Sequence, residues 1–317
     1  MEIYKECVVI GSGITGLAAA RWLKEYKIDF VVLEKSNDIG GLWRYTESDY
    51  GVMEFTHINV SKYNYCFSDH SFPEDTTDYP HHSEMFKYIK SFADKHELYN
   101  EINFNTRVTR IEEARVDRLN NEKLNFKNIK FYDKLWKVIT KNLTDETETA
   151  FITPYVSICS GHHATPIYAS FPGQETFPGQ IVHSVKFKSA RVNEMIDKKV
   201  LIVGIGNSAV DAAINKYLIF RCSKVVISTR SGAWIIPNYI SGYATDLYAC
   251  RLFLSLPWKL STNIMEATIK FIYGHPKNYN LNPKMRALQT QPTVSPTLIH
   301  HLQRKHIVIK PNIKTNC

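Results

Sequence analysis

Two stretches of one design, 193 residues apart at their first glycines, restrict this chain more than any other feature. The first runs Cys7-Val8-Val9-Ile10, then Gly11-Ser12-Gly13-Ile14-Thr15-Gly16, then Leu17-Ala18-Ala19-Ala20-Arg21-Trp22-Leu23. The second runs Lys198–Val203, then Gly204-Ile205-Gly206-Asn207-Ser208-Ala209-Val210-Asp211. Each is a strand-like apolar run, a glycine turn and a helix start. In each, the first glycine permits the tight turn and the second lets backbone amides approach a pyrophosphate. The third small residue, Gly16 or Ala209, lets helix pack on strand. The unpaired amides of the helix start then face an anion. Two such units predict an α/β architecture with parallel sheets.

The strand after each turn ends in opposite charge. Phe30–Leu33 leads to Glu34, 18 residues after Gly16, whereas Lys224–Arg230 ends in Arg230, 21 residues after Ala209. A carboxylate there accepts from a free ribose hydroxyl, and a guanidinium fits a 2′-phosphate with paired hydrogen bonds. The first unit is therefore expected to take FAD or NAD and the second NADP. The competing reading of Arg230 is an ordinary surface arginine.

Other stretches are less specific. Gly40-Gly41-Leu42-Trp43 brings backbone close to a large flat ligand, or is a turn with a buried tryptophan. Thr56–Asp75 is polar and aromatic-interleaved, a loop-rich segment in which Asn59 is a ligand contact or a turn-former. Apolar spacing predicts a helix over Ser83–Leu98 with Ser83 as cap. Strands are expected from Ile102 to Thr140, with the charged Glu113–Lys130 as an exposed hairpin region, and again at Tyr155–Cys159. His162 and His163 should point apart in a strand, and with no third ligand evident no metal is assigned. Pro166 to Gly179 reads as a linker and domain boundary. Trp234–Tyr279 is rich in aromatics, read as core ahead of a channel wall or an interfacial patch. A final strand is expected at Ile307–Ile309.

Composition excludes several classes. The net charge of +8 is scattered, without a nucleic-acid motif, so anionic nucleotides or a phospholipid surface are the expected partners and nucleic acid is not. Six cysteines form no Cys-x-x-Cys and no zinc spacing, which suits a reducing compartment and opposes a disulfide reductase. No apolar run approaches the roughly 18 residues that span a bilayer, and no signal peptide is expected.

Phe177-x-Gly179-x-x-x-His183-x-x-x-Phe187, placed between the two turns, resembles the fingerprint of flavin-containing monooxygenases. Gly40-Gly41-Leu42-Trp43, Asn59-Val60-Ser61-Lys62, Cys66-Phe67-Ser68-Asp69, Cys159-Ser160-Gly161-His162-His163 and Gly206-Asn207-Ser208-Ala209 resemble the animal, microsomal-type branch that oxygenates nitrogen and sulfur. The resemblance implies two Rossmann-like domains, an FAD domain over 1–165 and an inserted NADP domain over 166–310. A small antiparallel insertion accompanies them, and 311–317 begin the return to the FAD domain, whose completion lies further on in family members. It implies FAD and NADPH as cofactors, no metal, and a small amine or sulfide with dioxygen as substrates, as in xenobiotic metabolism. NADPH reduces the flavin, oxygen adds at its C4a carbon, and a soft nucleophile takes the distal oxygen of the hydroperoxide. By residue, it implies Gly11, Ser12, Gly13, Ile14, Thr15, Gly16, Glu34, Gly41, Leu42, Trp43, Ile58 and Val60 at the flavin nucleotide. Asn59 is implied as the catalytic contact of flavin and nicotinamide. Gly204, Gly206, Asn207, Ser208, Ala209, Val210, Asp211 and Arg230 are implied at NADP, with His183 and Phe187 fixing the linker. The cytosolic face of the endoplasmic reticulum, with peripheral membrane contact, is the implied location, or the cytoplasm if the short chain is the mature form. The alternatives are a catalytically silent nucleotide-binding homologue and an NADPH-dependent flavin reductase.

Overall fold

The computed structural model describes residues 1–47, 50–114, 134–215 and 221–313. The chain forms two compact units, Met1–Arg44 with Ser83–Thr165 and Tyr45–His82 with Pro166–Cys317.

In the first unit a short strand not expected from the sequence, β1 (Glu2–Tyr4), precedes β2 (Cys7–Ile10), α1 (Ile14–Glu25) and β3 (Phe30–Leu33), which follow the expected order. Helix α2 (His82–Lys95) leads to β4 (Ile102–Asn103), β5 (Thr106–Ala114), β6 (Leu135–Asn142), β7 (Glu148–Thr153) and β8 (Tyr155–Ile158). One parallel sheet has the order β4-β3-β2-β8, so the chain reverses direction across the sheet between β2 and β8. That switch point lies beside the strand carrying the first glycine turn, where open α/β sheets bind ligands. The second sheet, β1-β7-β6-β5, is antiparallel except for the β1–β7 pair. Val8, Val31 and Leu33 of the parallel sheet pack with Val138 and Phe151 of the other. Burying each such side chain contributes about 1.5–3 kcal/mol.

Helix α2 starts at His82, one residue before the expected start, because the His82 amide donates to Thr56 O and Ser83 already lies within the helix. It stops at Lys95 rather than Leu98, since Glu97 takes a left-handed φ of 50°. The hairpin expected in Glu113–Lys130 falls almost wholly outside the described residues.

In the second unit β9 (Lys199–Val203), α3 (Asn207–Ile214), β10 (Lys224–Ser228) and β15 (Ile307–Lys310) form half of a doubly wound fold, with parallel order β15-β10-β9. Between them lie the short pairs β11 (Ile235–Ile236) with β14 (Thr293–Val294) and β12 (Tyr239–Ile240) with β13 (Tyr243–Ala244). Helix α4 (Trp258–Tyr273) and helix α5 (Leu298–Gln303) complete the unit. Its core gathers Val210, Ala213, Val225, Ile227, Leu298, Ile307 and Ile309 with Phe187 and Met53. The core reading of Trp234–Tyr279 holds for Ile235, Ile236 and one side of α4, where Ile269 is buried, whereas Trp258, Ile264 and Phe271 are exposed.

Segment 45–82 packs with the second unit, which a continuous first domain over 1–165 did not anticipate. Besides Met53 in the core, it has polar ties that are distant in sequence. Tyr79 and Ser61 reach the backbone of Asn238 and the carboxylate of Asp246. His162 and His163 occupy a turn, not a strand, so their rings face each other with centroids 3.8 Å apart instead of diverging. Among the described residues no group of three or more side chains is placed to hold a metal.

Candidate functional site

In the first glycine turn, Gly11 has φ +99° and donates its amide to Leu33 O at 2.8 Å, locking the turn to β3. A Cβ on Gly16 would lie 1.9 Å from Gly11 O, so the turn and the first turn of α1 are in backbone contact. Gly13 precedes α1 with extended backbone and no side-chain cap, and no acid occupies the first helical turn. The amides of Ile14, Thr15 and Gly16 therefore lack intrahelical partners, as at any helix start, and no carboxylate competes for them. Gly40 (φ +107°) donates to Ser12 O at 3.1 Å, which brings Gly41 over the turn. A Cβ on Gly41, whose φ is +53°, would stand 3.0 Å from the Gly13 Cα, whereas a Cβ on Gly13 would meet Gly41 Cα at an ordinary 3.7 Å, so the close approach requires glycine at 41. Leu42 and Trp43 continue from Gly41 in one 3-10 turn and are partly buried.

Glu34 sits at the end of β3, 5% exposed, with a role the sequence reading did not include. One carboxylate oxygen accepts from the Ser12 amide at 2.7 Å and the Ser12 hydroxyl at 2.9 Å, and the other accepts from the Ser36 amide at 2.8 Å. Ser12 thus orients the acid and gives its amide to Glu34 rather than to a phosphate. A carboxylate has about four acceptor positions, so capacity for a ribose hydroxyl remains.

The second turn repeats the geometry with one difference. Gly204 (φ +119°) donates to Ser228 O at 2.9 Å. Gly206 precedes α3 with ordinary extended backbone, and a Cβ there would meet nothing within 4 Å. The fold does not need glycine at 206, whereas a closely approaching phosphate would. Asn207 donates from its carboxamide to Pro292 O at 3.2 Å and accepts from the Val294 amide at 2.8 Å. Its side chain therefore straps β14 to the turn, and only its main chain is left for a ligand. Val210 is fully buried in the core and cannot touch a ligand with its side chain. Asp211, expected among the cofactor contacts, lies deeper in α3, where burial pushes its carboxyl up to about 7. Ser208 and Ala209 lie in the first turn of α3. Arg230 stands exposed past the end of β10, with no hydrogen bond or ion pair to the other described residues.

Ile58, Asn59 and Val60 belong to segment 45–82. The Ile58 amide donates to Pro80 O at 2.9 Å, the His82 amide to Thr56 O at 2.9 Å and the Lys62 amide to Asp78 O at 2.7 Å. This ladder holds Asn59 at a half-buried bend. The same segment brings three histidine rings together, with centroids 4.9 Å apart for His57–His81 and 4.1 Å for His81–His82. His81 and His82 both present Nε2 to Glu54 O, at 3.0 and 3.2 Å. Burial, with the neighbouring His81 charge, pushes His82 down to about 4 from 6.5, against the pull of the Glu54 carbonyl. The unfolded chain takes up this proton near pH 6.5 and the folded chain only near 4. Stability is therefore expected to fall as pH drops through that window, by up to about 3 kcal/mol. Urea midpoints from pH 7 to 4 should show that loss shrinking in His82→Gln. Equal pH slopes for variant and parent would show that His82 contributes nothing.

The two glycine turns, with Glu34 after one and Arg230 after the other, define a protein with paired dinucleotide-binding units. The chain belongs to the flavin-binding monooxygenase-like family, whose model matches residues 4–316. It is 31% identical over 322 residues to dimethylaniline monooxygenase [N-oxide-forming] 2 of Oryctolagus cuniculus, covering 98% of this chain and 56% of that protein. It is 32% identical to flavin-containing monooxygenase 3 of Rattus norvegicus, covering 98% of this chain and 57% of that protein. The chain thus spans little more than half the length of these relatives. In fold it is similar to an oxidized steroid monooxygenase bound to NADP, with a TM-score of 0.68 at 17% identity over 98% of this chain and 65% of that one.

Proposed function

We propose that the chain is the nucleotide-binding part of an NADPH- and oxygen-dependent flavin monooxygenase acting on soft nitrogen or sulfur nucleophiles. One observation carries this reading: two glycine turns followed by an acid in one unit and an exposed arginine in the other, in a chain of the flavin-binding monooxygenase-like family. FAD fits the first turn, where Gly41 lies against Gly13 with no room for a side chain at 41 and Glu34 is pre-oriented by Ser12 and Ser36. Gly11 and Gly13–Gly16 would hold its pyrophosphate, Glu34 its ribose, and Gly41, Leu42 and Trp43 its larger ring system. NADPH fits the second, with Gly204, Gly206 and the amides of Asn207, Ser208 and Ala209 at its pyrophosphate and Arg230 at its 2′-phosphate.

When bound, reduced flavin activates dioxygen: one oxygen atom enters the substrate, the other leaves as water, and NADPH supplies two electrons. The residues of the chain do the rest. The turn amides bind phosphate, Glu34 and Arg230 sort the two nucleotides, and burial, which pushes the Asp211 carboxyl up to about 7, disfavours negative charge in that helix. The carboxamide of Asn59 offers one donor group and one acceptor and is the proposed contact for flavin and nicotinamide. No acid–base pair or nucleophile is required, in keeping with the resemblance. Among the described residues no helix is long and apolar enough to cross a membrane. Peripheral attachment at the endoplasmic reticulum remains part of the proposal through the family resemblance alone.

The visible spectrum of the purified chain tests this reading. A bound-flavin band that bleaches with NADPH and returns with oxygen is the expected result. Colourless protein that takes up no added FAD while binding NADPH would leave a nucleotide-binding homologue without oxygenase chemistry.

A further inference from the structure

Asn59 is held at a bend by its neighbours, since no hydrogen bond from its own side chain to a described residue secures it. The chain turns at once into a single helical turn, Lys62–Tyr65, and the hydrogen bonds of that turn converge on one distant carboxylate. One oxygen of Asp246 accepts from the Ser61 amide at 3.1 Å, the Ser61 hydroxyl at 2.8 Å and the Asn64 carboxamide at 2.9 Å. The Tyr79 hydroxyl lies 3.3 Å from its other oxygen. The same Asn64 group also donates to the Asp246 carbonyl at 3.1 Å. Ser61 is fully buried, so both of its donors depend on this carboxylate to offset lost hydration. Asp246 is itself fixed from its own side. Thr245 donates its amide to Asn238 O at 2.8 Å and its hydroxyl to Pro237 O at 2.6 Å. Asp78 makes a second latch, accepting from Tyr63 at 3.0 Å and Tyr239 at 3.2 Å. Asp246 and Asp78 thus tie both arms of the Asn59 segment to the hairpin β12–β13.

We propose that Asp246 is the positioning residue for Asn59: its carboxylate fixes the Ser61–Asn64 turn, and that turn fixes the backbone presenting the Asn59 carboxamide. This rests on the reading of Asn59 as the contact for flavin and nicotinamide. Several charge-assisted hydrogen bonds to one rigid acceptor hold a loop far more narrowly than packing of its small polar side chains could. A burial role alone would be served by any polar group of similar size. A positioning role requires the accepting carboxylate and should be lost even in Asp246→Asn.

Two measurements on the full chain test the proposal. Hydrogen exchange without cofactor should show the amides of residues 61–65 opening about tenfold faster or more in Asp246→Asn and in Ser61→Ala. With FAD and NADPH added, the share of NADPH electrons released as hydrogen peroxide should rise in Asp246→Asn toward that of Asn59→Ala. Unchanged exchange in both variants overturns the proposal whatever the flavin does. Faster exchange with a parental peroxide share, while Asn59→Ala raises it, overturns it as well. A chain that takes up no flavin, or an Asn59→Ala variant with the parental share, removes the reading beneath the proposal and the proposal with it. The exchange result then still reports whether Asp246 holds the turn.

Discussion

Gly16→Ala should unfold the first unit, whereas Gly206→Ala should leave the second folded and weaken NADPH binding. The added methyl at 16 would lie 1.9 Å from the backbone oxygen of Gly11, so α1 must lift off β2 or the turn must open. Neither can happen without exposing Leu17 and Ala20, both fully buried. Close-packed interiors do not absorb such a shift, and a loss of about 4 kcal/mol or more is expected. At 206 the backbone is extended and the methyl meets no protein atom within 4 Å. Stability there should stay within about 0.5 kcal/mol. If a pyrophosphate passes over this Cα, the methyl displaces it and NADPH affinity should drop about tenfold or more. Urea unfolding and a direct NADPH titration separate the two effects. Parental NADPH affinity in Gly206→Ala would remove the pyrophosphate from this turn.

Arg230→Ala is expected to weaken NADPH by about 30- to 100-fold, roughly 2–3 kcal/mol for a charge-assisted, paired contact with phosphate. NADH lacks the 2′-phosphate and should bind the variant as it binds the parent. Arg230→Lys should fall between, because an ammonium keeps the charge but not the planar fork. The exposed side chain makes no ion pair with the other described residues, so the unfolding midpoint should not move. An equal loss for both nucleotides would mean that Arg230 acts on the pyrophosphate or the fold, and would end the argument from the 2′-phosphate.

Both predictions start from features that are local in sequence, which is why they were legible. The strands Cys7–Ile10 and Phe30–Leu33 and the helix starts at Ile14 and Asn207 follow from apolar runs and glycines a few residues apart. Glu34 and Arg230 stand just past the ends of β3 and β10, as expected, because a βαβ unit sets the distance from turn to second strand end. The details depending on a neighbour were less visible. Ser12, expected at the flavin nucleotide, gives its amide and hydroxyl to Glu34, and Asn207, expected at NADP, spends its side chain on Pro292 and Val294. Polar groups of this kind take the nearest buried partner, which spacing along the chain does not reveal.

The sequence by itself determined that two dinucleotide-binding units would form, where each turn lies, and which charge follows it. Backbone sterics and apolar periodicity act over a few residues and leave little choice. Only the tertiary structure decided that segment 45–82 packs with the second unit, and that Asp246 holds the turn after Asn59 across 185 positions. Such a contact has no local signature. It exists because a buried serine needs an acceptor and the β12–β13 hairpin brings one, a match made by the folded chain alone.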